Sequence, residues 1–416
     1  MDFTPTEEQT AAQGLAARIF RDLSTHERLV AAGTGTDTEL WKELCAAGLT
    51  AAVEEIGLLG LVLLVEEQGR VTAQVPFASS CVYGLLAVAE HGTDEQRERL
   101  LPALRDGTEV AAGALPARGG IRADGEGRLS GSVPYVPWLR DASLVLVADA
   151  ECRLWIVRTD GPGVATEPVE TTAPWSAARL VLDGALGERL GGAGAPGERL
   201  GGAGAHEEVR AEATPAYEER RVEATPAHEE GRVEATPAYE EGRPYEDRRA
   251  REDARAYERV LAVSRIAFAG LQAGVCAGSL ALAVAHTNTR EQFGRPLSTK
   301  QAVLMRAADA HMDTEAIRVT AYEAAWRRDT GLPYRRQALT AAWWASEAGK
   351  RVVHAGQHLH GGTGADLDHP VHRHFLWGRQ LDAHLGCGSE VLQELGELLA
   401  SAEEPVREAA TEEGAE

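Results

Sequence analysis

The polar corner at residues 286–301 constrains the fold more than any other stretch, because it lies between two long helical patterns. The run before it, Tyr257–His286, consists almost wholly of Ala, Val, Leu and Gly, which is typical of a helix buried on most sides. A second periodic run, Lys300–Arg328, follows the corner. Within the corner, Gly294 and Pro296 favour a bend of the backbone. The sequence therefore predicts an antiparallel helical hairpin.

Two further helical patterns follow the hairpin. The first, Gln337–Gln357, ends near the glycine-rich stretch GGTG at 361–364, and the second covers Leu376–Leu399. Four helices in sequence are expected to pack as an antiparallel bundle. Residues 256–400 are therefore assigned to a C-terminal four-helix bundle.

The first 183 residues divide into a helical part and a strand part. Residues 1–108 show helical spacing of apolar side chains and are assigned to an N-terminal helical domain. Residues 109–183 contain short alternating segments separated by Gly and Pro, which predicts a small antiparallel β-barrel or β-sandwich domain. The predicted strands are Leu129–Val133, Ser143–Ala148, Arg153–Arg158 and Arg179–Leu182. The predicted fold class is therefore α+β.

Residues 184–255 differ from the rest of the chain in composition. GERLGGAGA occurs at 187–195 and again at 197–205, and an eleven-residue unit, HEEVRAEATPA with its variants, then repeats. These units contain proline and almost no large aliphatic residue, so they cannot bury enough apolar surface to offset their chain entropy. We predict a disordered, low-complexity insertion between the middle domain and the bundle. The acidic tail, residues 401–416, is predicted to be disordered as well.

Composition excludes several classes of partner and compartment. The formal net charge of −22 disfavours nucleic acid and anionic membranes as partners. The most apolar run, Ile56–Val65, has about half of the roughly 20 residues that a membrane span needs. The five cysteines are widely spaced and include no CxxC pair, which indicates reduced thiols rather than disulfides or a zinc site. The N-terminus has no basic start followed by an apolar core, so a cytoplasmic protein is expected.

Two motifs in the predicted bundle resemble known signatures. The first is TREQFGRPL, with Gln301 eleven residues after Arg290, which is similar to an R-x-x-F-G…Q motif. The second is HLHGGTG at 358–364, followed by Asp-His-Pro and an arginine, which is similar to Q-x-x-G-G-x-G…Y-P…R. Both signatures belong to the acyl-CoA dehydrogenase family, and the order of helical motifs in residues 1–108 resembles its N-terminal domain. The residues of these motifs resemble most closely those of actinobacterial-type subunits that act on bulky acyl-CoA thioesters.

The resemblance implies FAD as the cofactor, contacted on a neighbouring subunit of a homo- or hetero-oligomer. Arginine presents a fork of donors suited to phosphate oxygens, and phenylalanine offers a flat apolar face. Glycines let backbone donors approach an anionic ligand without a Cβ in the way. The bundle is expected to form the subunit contact. The implied cofactor-binding residues are Arg290, Phe293, Gln301, His358, Gly361 and Gly362.

The resemblance also shows where a catalytic base is missing. The family's reaction removes an α-proton from an acyl-CoA thioester while a hydride leaves the β-carbon for the flavin, so the protein must supply a base. The family's glutamate base stands at one of two positions, which are occupied here by Ser264 and Leu385. Asp382 and Glu390 lie nearby, although solvated helix positions explain both better. No catalytic residue is therefore assigned.

The middle domain departs from the family at two places. Members usually carry a T-E-P…G-S-D-like loop that contacts flavin and substrate, and this chain has ALPARGG at 114–120 instead. The tryptophan–threonine pair usually found near the flavin is replaced by YVPW at 135–138. Because both segments lie at or near the flavin in the family, these differences count against a flavin ring bound in this domain.

Three functions remain open at this point. The first is FAD-dependent α,β-dehydrogenation of an acyl-CoA, either by the chain itself or as the base-lacking subunit of a heteromer. The second is a non-catalytic structural partner of another acyl-CoA dehydrogenase. The third is a metal-dependent hydrolase, because His354 and His358 have the i, i+4 spacing of metal ligands, although the glycine motif explains this segment better. The candidate metal ligands are His354, His358, His360, His369, His372, His374, Asp366 and Asp368.

Overall fold

The computed structural model describes residues 2–192 and 243–412, with side chains in the second part from Arg249 to Ser401. Helices, then two β-sheets, then helices follow each other along the chain, which confirms the predicted α+β class. The disorder predicted for the insertion falls mainly on residues 193–242, which lie outside the described residues.

The N-terminal region consists of helices with capped first turns. Thr6 and Thr93 each accept a hydrogen bond from the backbone three residues on, and Gln9 and Gln96 accept one in return from the capping residue's amide. A π-helical segment, Ser80–Leu86, joins the fifth and sixth helices. The helices are α1 (Glu7–Leu23), α2 (His26–Ala32), α3 (Thr38–Ala46), α4 (Leu49–Arg70), α5 (Phe77–Ser79), α6 (Ala87–His91) and α7 (Asp94–Arg105).

Helix α4 is broken at Gly57, which has a φ of 73° and a ψ of −171°. The amides of Leu58 and Leu59 therefore begin a new helical segment, where they have no carbonyl partner within the helix. Both donate to the carboxylate of Asp329, at 2.9 and 2.8 Å. Because Asp329 is the last residue of a C-terminal helix, this cap joins the two helical regions.

Among the described residues, the middle region forms two open four-stranded sheets and not a closed barrel. The strands are β1 (Ala111–Ala114), β2 (Ile121–Ala123), β3 (Arg128–Val136), β4 (Leu144–Ala148), β5 (Leu154–Arg158), β6 (Val164–Pro168), β7 (Ala178–Leu186) and β8 (Glu188–Arg189). The first sheet has the order β1-β4-β5-β8 and the second β2-β3-β7-β6. The antiparallel prediction is wrong for one pair, because β1 runs parallel to β4.

The first sheet lies between the helices and the second sheet. Leu146 and Ile156 pack into the helical core, whereas their neighbours Val145 and Val157 pack against the second sheet. Both faces of this sheet are therefore covered, which explains why β4 is apolar throughout. Strands β7 and β8 extend to Arg189, so the middle region continues beyond the predicted boundary at 183.

The C-terminal region confirms the predicted helical hairpin, but the last predicted helix needs a correction. The helices are α8 (Arg243–Thr289), α9 (Gln301–Asp329), α10 (Arg335–His360), α11 (Pro370–Leu381) and α12 (Gly388–Glu412). The predicted last helix, Leu376–Leu399, is in fact two helices, because the chain turns between α11 and α12, where Gly386 has a φ of 106°. Helix α8 begins before the predicted boundary at 256, and α12 continues into the predicted disordered tail.

Glycines bring α8 into direct backbone contact with α4. A Cβ at Gly274 would collide with the carbonyl oxygen of Glu66, and one at Gly278 with that of Arg70. The part of α8 from Arg249 to Thr289 is long and apolar enough to cross a membrane, but 78% of its most apolar window is buried inside the protein. This burial is what a core helix shows.

Candidate functional site

The corner between α8 and α9 is a short β-hairpin that the helical pattern did not predict. Strands β9 (Glu291–Gln292) and β10 (Arg295–Pro296) pair across Phe293 and Gly294, whose φ angles are 55° and 74°. Two successive positive φ angles give the turn geometry that matches strand twist, and a glycine at the second position is its sequence signal. Phe293 stands at the tip, 92% exposed, with the Lys300 ammonium 4.7 Å from its ring centre.

Arg290 and Gln301 flank this hairpin and are both exposed. The Arg290 amide donates to the His286 carbonyl, and its own carbonyl accepts from the Leu297 amide, each at 2.9 Å. These bonds fix the Arg290 backbone at the base of the corner. Among the described residues, no hydrogen bond or ion pair engages the Arg290 guanidinium, so its donors remain available.

The glycine run ends α10 beside the exposed His358. Gly361 has a φ of 64°, and a Cβ placed on Gly361 or on Gly362 would meet no heavy atom within 4 Å. Gly364 differs, because its Cβ would collide with the carbonyl oxygen of Gln357. The first two glycines therefore offer open backbone, whereas the last one packs inward.

Three imidazoles bring the two motifs together. His286, near the end of α8, stacks on His360 at 4.7 Å between ring centres, and His360 meets His369 edge-on at 4.9 Å. Burial lowers the pKa of His286 and of His369, and neighbouring cationic groups lower it further. The hairpin and the glycine run thus form one surface, which we name the flavin corner after the cofactor that the resemblance implies.

All six residues that the resemblance assigns to the cofactor are exposed at or beside this corner. None of them lines the cleft at Leu385 or the four other cavities compared with it in the described residues. An exposed guanidinium, an exposed aromatic ring and open glycine backbone fit one edge of a dinucleotide site. The remaining surface around such a ligand would have to come from another chain.

The two base positions lie apart from this corner. Leu385 lines a cleft of about 360 Å³ between the loop after β1, helix α8 and the start of α12, and it is 6% exposed. Ser264 is fully buried and donates its hydroxyl to the Val260 carbonyl at 2.7 Å. Neither side chain is an acid, and the serine hydroxyl is already engaged.

Every carboxylate that lines the cleft is paired with an arginine. The Arg118 guanidinium holds the pKa of the Glu390 carboxyl below its usual range. Asp382, the other nearby acid, does not line the cleft and accepts hydrogen bonds from Ser346 at 2.6 Å and Arg379 at 3.1 Å. The cleft pairs are Glu258–Arg335 at 3.1 Å, Glu390–Arg118 at 3.3 Å and Glu394–Arg265 at 2.7 Å. Among the described residues, Leu385 thus has no uncommitted carboxylate beside it.

Indole rings fill the seam where segment 135–138 meets the helices. Trp138 stacks on Trp175 with ring centres 6.0 Å apart, and Trp377 of α11 meets Trp175 edge-on at 5.3 Å. None of the three is more than 2% exposed. A flavin ring would have to displace an indole to enter this seam, so the residues present do not fit the ring there.

His384 was not singled out from the sequence, although it directly precedes Leu385, one of the two positions where the family carries its base. Its ring lies 4.5 Å from that of Phe268 and 6.1 Å from that of Trp175. Among the described residues, neither of its ring nitrogens has a hydrogen-bond partner, and burial lowers its pKa to about 4. The ring is therefore neutral at pH 7.

Of the histidines proposed as metal ligands, His360 and His369 contact each other, whereas His354 and His374 have separate packing partners. His354 packs edge-on against Phe375, and His374 lies between the carbonyl oxygens of Pro370 and Arg70. In the described part of the chain, no three His, Cys, Asp or Glu side chains form a group that could hold a metal ion. The metal-dependent hydrolase thus has no site among these residues.

Two family profiles match the chain, and relatives align with it over nearly its whole length. The profile described as "Acyl-CoA dehydrogenase, N-terminal domain" matches residues 6–108, and "Acyl-CoA dehydrogenase, C-terminal domain" matches residues 254–393. Acyl-CoA dehydrogenase FadE27 of Mycobacterium tuberculosis is 31% identical over 431 aligned residues, which cover 96% of this chain and 99% of FadE27.

Solved structures match over nearly the whole chain as well. A variant of the Tcur3481-Tcur3483 steroid ACAD is 36% identical, with a TM-score of 0.76, covering 95% of this chain and 98% of that chain. The ChsE4-ChsE5 complex from Mycobacterium tuberculosis contains a chain that is 27% identical, with a TM-score of 0.77, covering 96% of this chain and 99% of that chain.

Proposed function

The chain belongs to the acyl-CoA dehydrogenase family, and we propose that it is the base-lacking subunit of a heteromeric, FAD-dependent acyl-CoA dehydrogenase. A partner subunit carries the glutamate base, and the flavin corner of this chain contacts the partner's FAD. One observation carries this proposal: the six cofactor-contact residues are exposed together, while the base positions hold Ser264 and Leu385.

This chain contributes binding and orientation to the proposed reaction. FAD, when bound, accepts the hydride that leaves the β-carbon of the acyl-CoA. The Arg290 guanidinium donates to phosphate oxygens, and the backbone at Gly361 and Gly362 approaches the dinucleotide without an intervening side chain. Phe293 covers an apolar face of the ligand. None of these groups transfers a proton, so the base must come from elsewhere.

The missing base argues against catalysis by this chain alone. Loss of a general base lowers a rate by about 10²- to 10⁴-fold. The carboxylates around Leu385 are each paired with an arginine, and the Arg118 guanidinium lowers the pKa of Glu390, which makes Glu390 a weaker proton acceptor. The buried stack of Trp138, Trp175 and Trp377 occupies the seam where a flavin ring would otherwise enter. Both features support a division of roles between two different subunits.

An uncovered apolar stripe on α9 supports the subunit contact. Met305, Met312 and Val319 recur every seven residues on one face and are 59%, 62% and 46% exposed. Leu304 beside them is 55% exposed. Aligned apolar side chains that stay uncovered in a protomer mark interaction surfaces. We infer that another acyl-CoA dehydrogenase subunit covers this stripe, and the two-component names of the similar structures support this inference.

We further propose a bulky, steroid-derived acyl-CoA as the substrate class of the assembly and the cytoplasm as its location. The name of the similar steroid ACAD supports the substrate. All five cysteines are free thiols, which supports a reducing compartment. The alternative, a structural partner that never touches the flavin, shares these features but leaves the exposed Arg290 unexplained.

Co-expression tests this proposal. The chain is purified alone and with an acyl-CoA dehydrogenase subunit that is encoded beside its gene and carries the glutamate. The expected result is flavin absorbance that an acyl-CoA bleaches in the complex, and no bleaching with the lone chain. Arg290→Gln in the complex should weaken FAD retention by about tenfold or more, because a charge-assisted hydrogen bond is lost. Arg306→Gln, which changes an exposed arginine of α9, is the matched control.

Each outcome decides between specific alternatives. Bleaching by the lone chain would refute the base-lacking role. A complex that bleaches normally and retains FAD equally with Arg290→Gln and Arg306→Gln would leave this chain as a structural partner only. A complex without flavin would rule out FAD as the cofactor.

A further inference from the structure

A separate cavity of about 560 Å³ opens between α2, the end of α4, α8 and the start of α11. It shares no lining residue with the cleft at Leu385, and none of the six cofactor-contact residues lines it. Its volume lies within the range of pockets that enclose small molecules. The proposed flavin contact does not account for this cavity.

Most of its wall is apolar. Leu29 and Val30 come from α2, Ala281 and Leu282 from α8, and Leu367 from the segment before α11. Val30 and Leu367 are 62% and 77% exposed, which leaves large apolar side chains uncovered at this place. A ligand with an apolar body would gain by covering them.

One charged group in this wall has no countercharge. Arg373 donates to the carbonyl oxygen and hydroxyl of Thr72 and to the side-chain oxygen of Gln74. No carboxylate of the described residues pairs with it, and burial lowers its pKa to about 10. Arg70, in the same wall, differs because it pairs with Glu66 at 2.5 Å. A half-buried guanidinium without an anion favours binding of one.

A second polar atom lies beside Arg373 in sequence and in the wall. Nδ1 of His372 is buried and has no hydrogen-bond partner among the described residues. The guanidinium of Arg373 has a further nitrogen, Nη1, for which no described residue is an acceptor. None of the described lining residues is acidic. The wall therefore combines unpartnered polar nitrogens with an apolar surface and lacks a competing carboxylate.

We propose that this cavity binds a carboxylic acid with an apolar body, whose carboxylate accepts hydrogen bonds from Arg373 and His372. The apolar body covers Val30, Leu367 and the small side chains of α8. A carboxylate fits because it has two oxygens for two neighbouring donors, and Arg prefers such planar acceptors. None of the six cofactor-contact residues lines this cavity, so it can be tested on the purified full-length chain without a partner subunit.

Calorimetric titration tests this assignment with three probes: decanoate, decanol and inorganic phosphate. Decanoate should bind, decanol should bind at least about tenfold more weakly, and phosphate should not displace decanoate, because both the charge and the apolar body contribute. Ala281→Trp places a large ring in the cavity and should abolish decanoate binding. Ala285→Trp is the matched control, because this exposed position lies one turn further along α8 and outside this cavity.

Arg373→Lys and Arg373→Gln separate charge from packing. The lysine variant should keep part of the affinity, whereas the glutamine variant should lose about tenfold or more. Equal binding of decanoate and decanol, or decanoate binding that survives Ala281→Trp, would overturn the proposal. Displacement by phosphate would indicate a bare anion site instead. If decanoate fails to bind and Ala281→Trp changes the mass measured by light scattering, the cavity is a subunit contact and the proposal is wrong.

Discussion

Asp329→Ala should destabilise the fold strongly, although the residue is remote in sequence from the helix that it caps. The break at Gly57 leaves the amides of Leu58 and Leu59 at the start of a helical segment, and these residues are 0% and 4% exposed. Each amide donates to one oxygen of the Asp329 carboxylate. A hydrogen bond to a charged group contributes about 1.5–3 kcal/mol, so the loss of both predicts a decrease of roughly 3 kcal/mol in the free energy of unfolding.

The assay is urea unfolding followed by circular dichroism. Asp309→Ala is the matched control, because it removes an exposed aspartate from the same helix without breaking a hydrogen bond of the described residues. Asp329→Asn keeps one acceptor oxygen and should lose about half as much as Asp329→Ala. The reasoning fails if Asp329→Ala is as stable as Asp309→Ala, because the cap would then contribute nothing.

Two further changes test buried charge. Glu66→Gln should lower the free energy of unfolding by about 3–5 kcal/mol, because the fully buried carboxylate accepts from Arg318 at 3.0 Å and from Tyr322 at 2.8 Å. Glu55→Gln, which changes an exposed carboxylate of the same helix, should change it by less than about 1 kcal/mol in the same urea assay. For His384, the folded pKa of about 4 lies below the unfolded value of about 6.5. The unfolded chain therefore binds more protons than the folded chain between these pH values, and the free energy of unfolding falls as the pH falls from 6.5 to 4. His384→Leu should remove about 2–3 kcal/mol of that acid loss, measured by urea unfolding at pH 7 and pH 4.5, and an unchanged pH dependence would show that burial does not depress this pKa.

The order of the parts was predictable because period and composition differ between helix, strand and repeat. Apolar positions recur with helical spacing in residues 1–108, whereas β4 and β5 are short continuous apolar runs and the first part of β7 alternates between buried and more exposed residues. The parallel pairing of β1 with β4 was not predictable, because pairing depends on which distant strand shares the edge. The split between α11 and α12 was missed because Gly386 interrupts a pattern that is apolar on both sides.

The candidate site was predicted as a set of residues but not as a surface. The motifs locate Arg290 and Gly361 in the sequence, and the stack of His286 on His360 brings their segments to one corner. Local patterns carry no information about such long-range contacts, and they gave no sign that Trp175 closes the seam. The unpaired charge of Arg373 was hidden for the same reason, since Arg373 lies on α11 and its hydrogen-bond acceptors lie in the segment after α4.

The flavin corner is exposed in the protomer and the seam is packed, and this difference indicates different roles. At the seam, Trp138 and its neighbours are packed, so nothing further needs to bind there. At the corner, Phe293 is almost fully exposed and Gly361 borders open space, although burying a phenylalanine side chain would contribute about 1.5–3 kcal/mol. A protomer on its own forgoes that contribution. The same residues gain this burial energy when the corner covers a ligand that is held mainly by another chain. A subunit without a base can still take part in catalysis in this way.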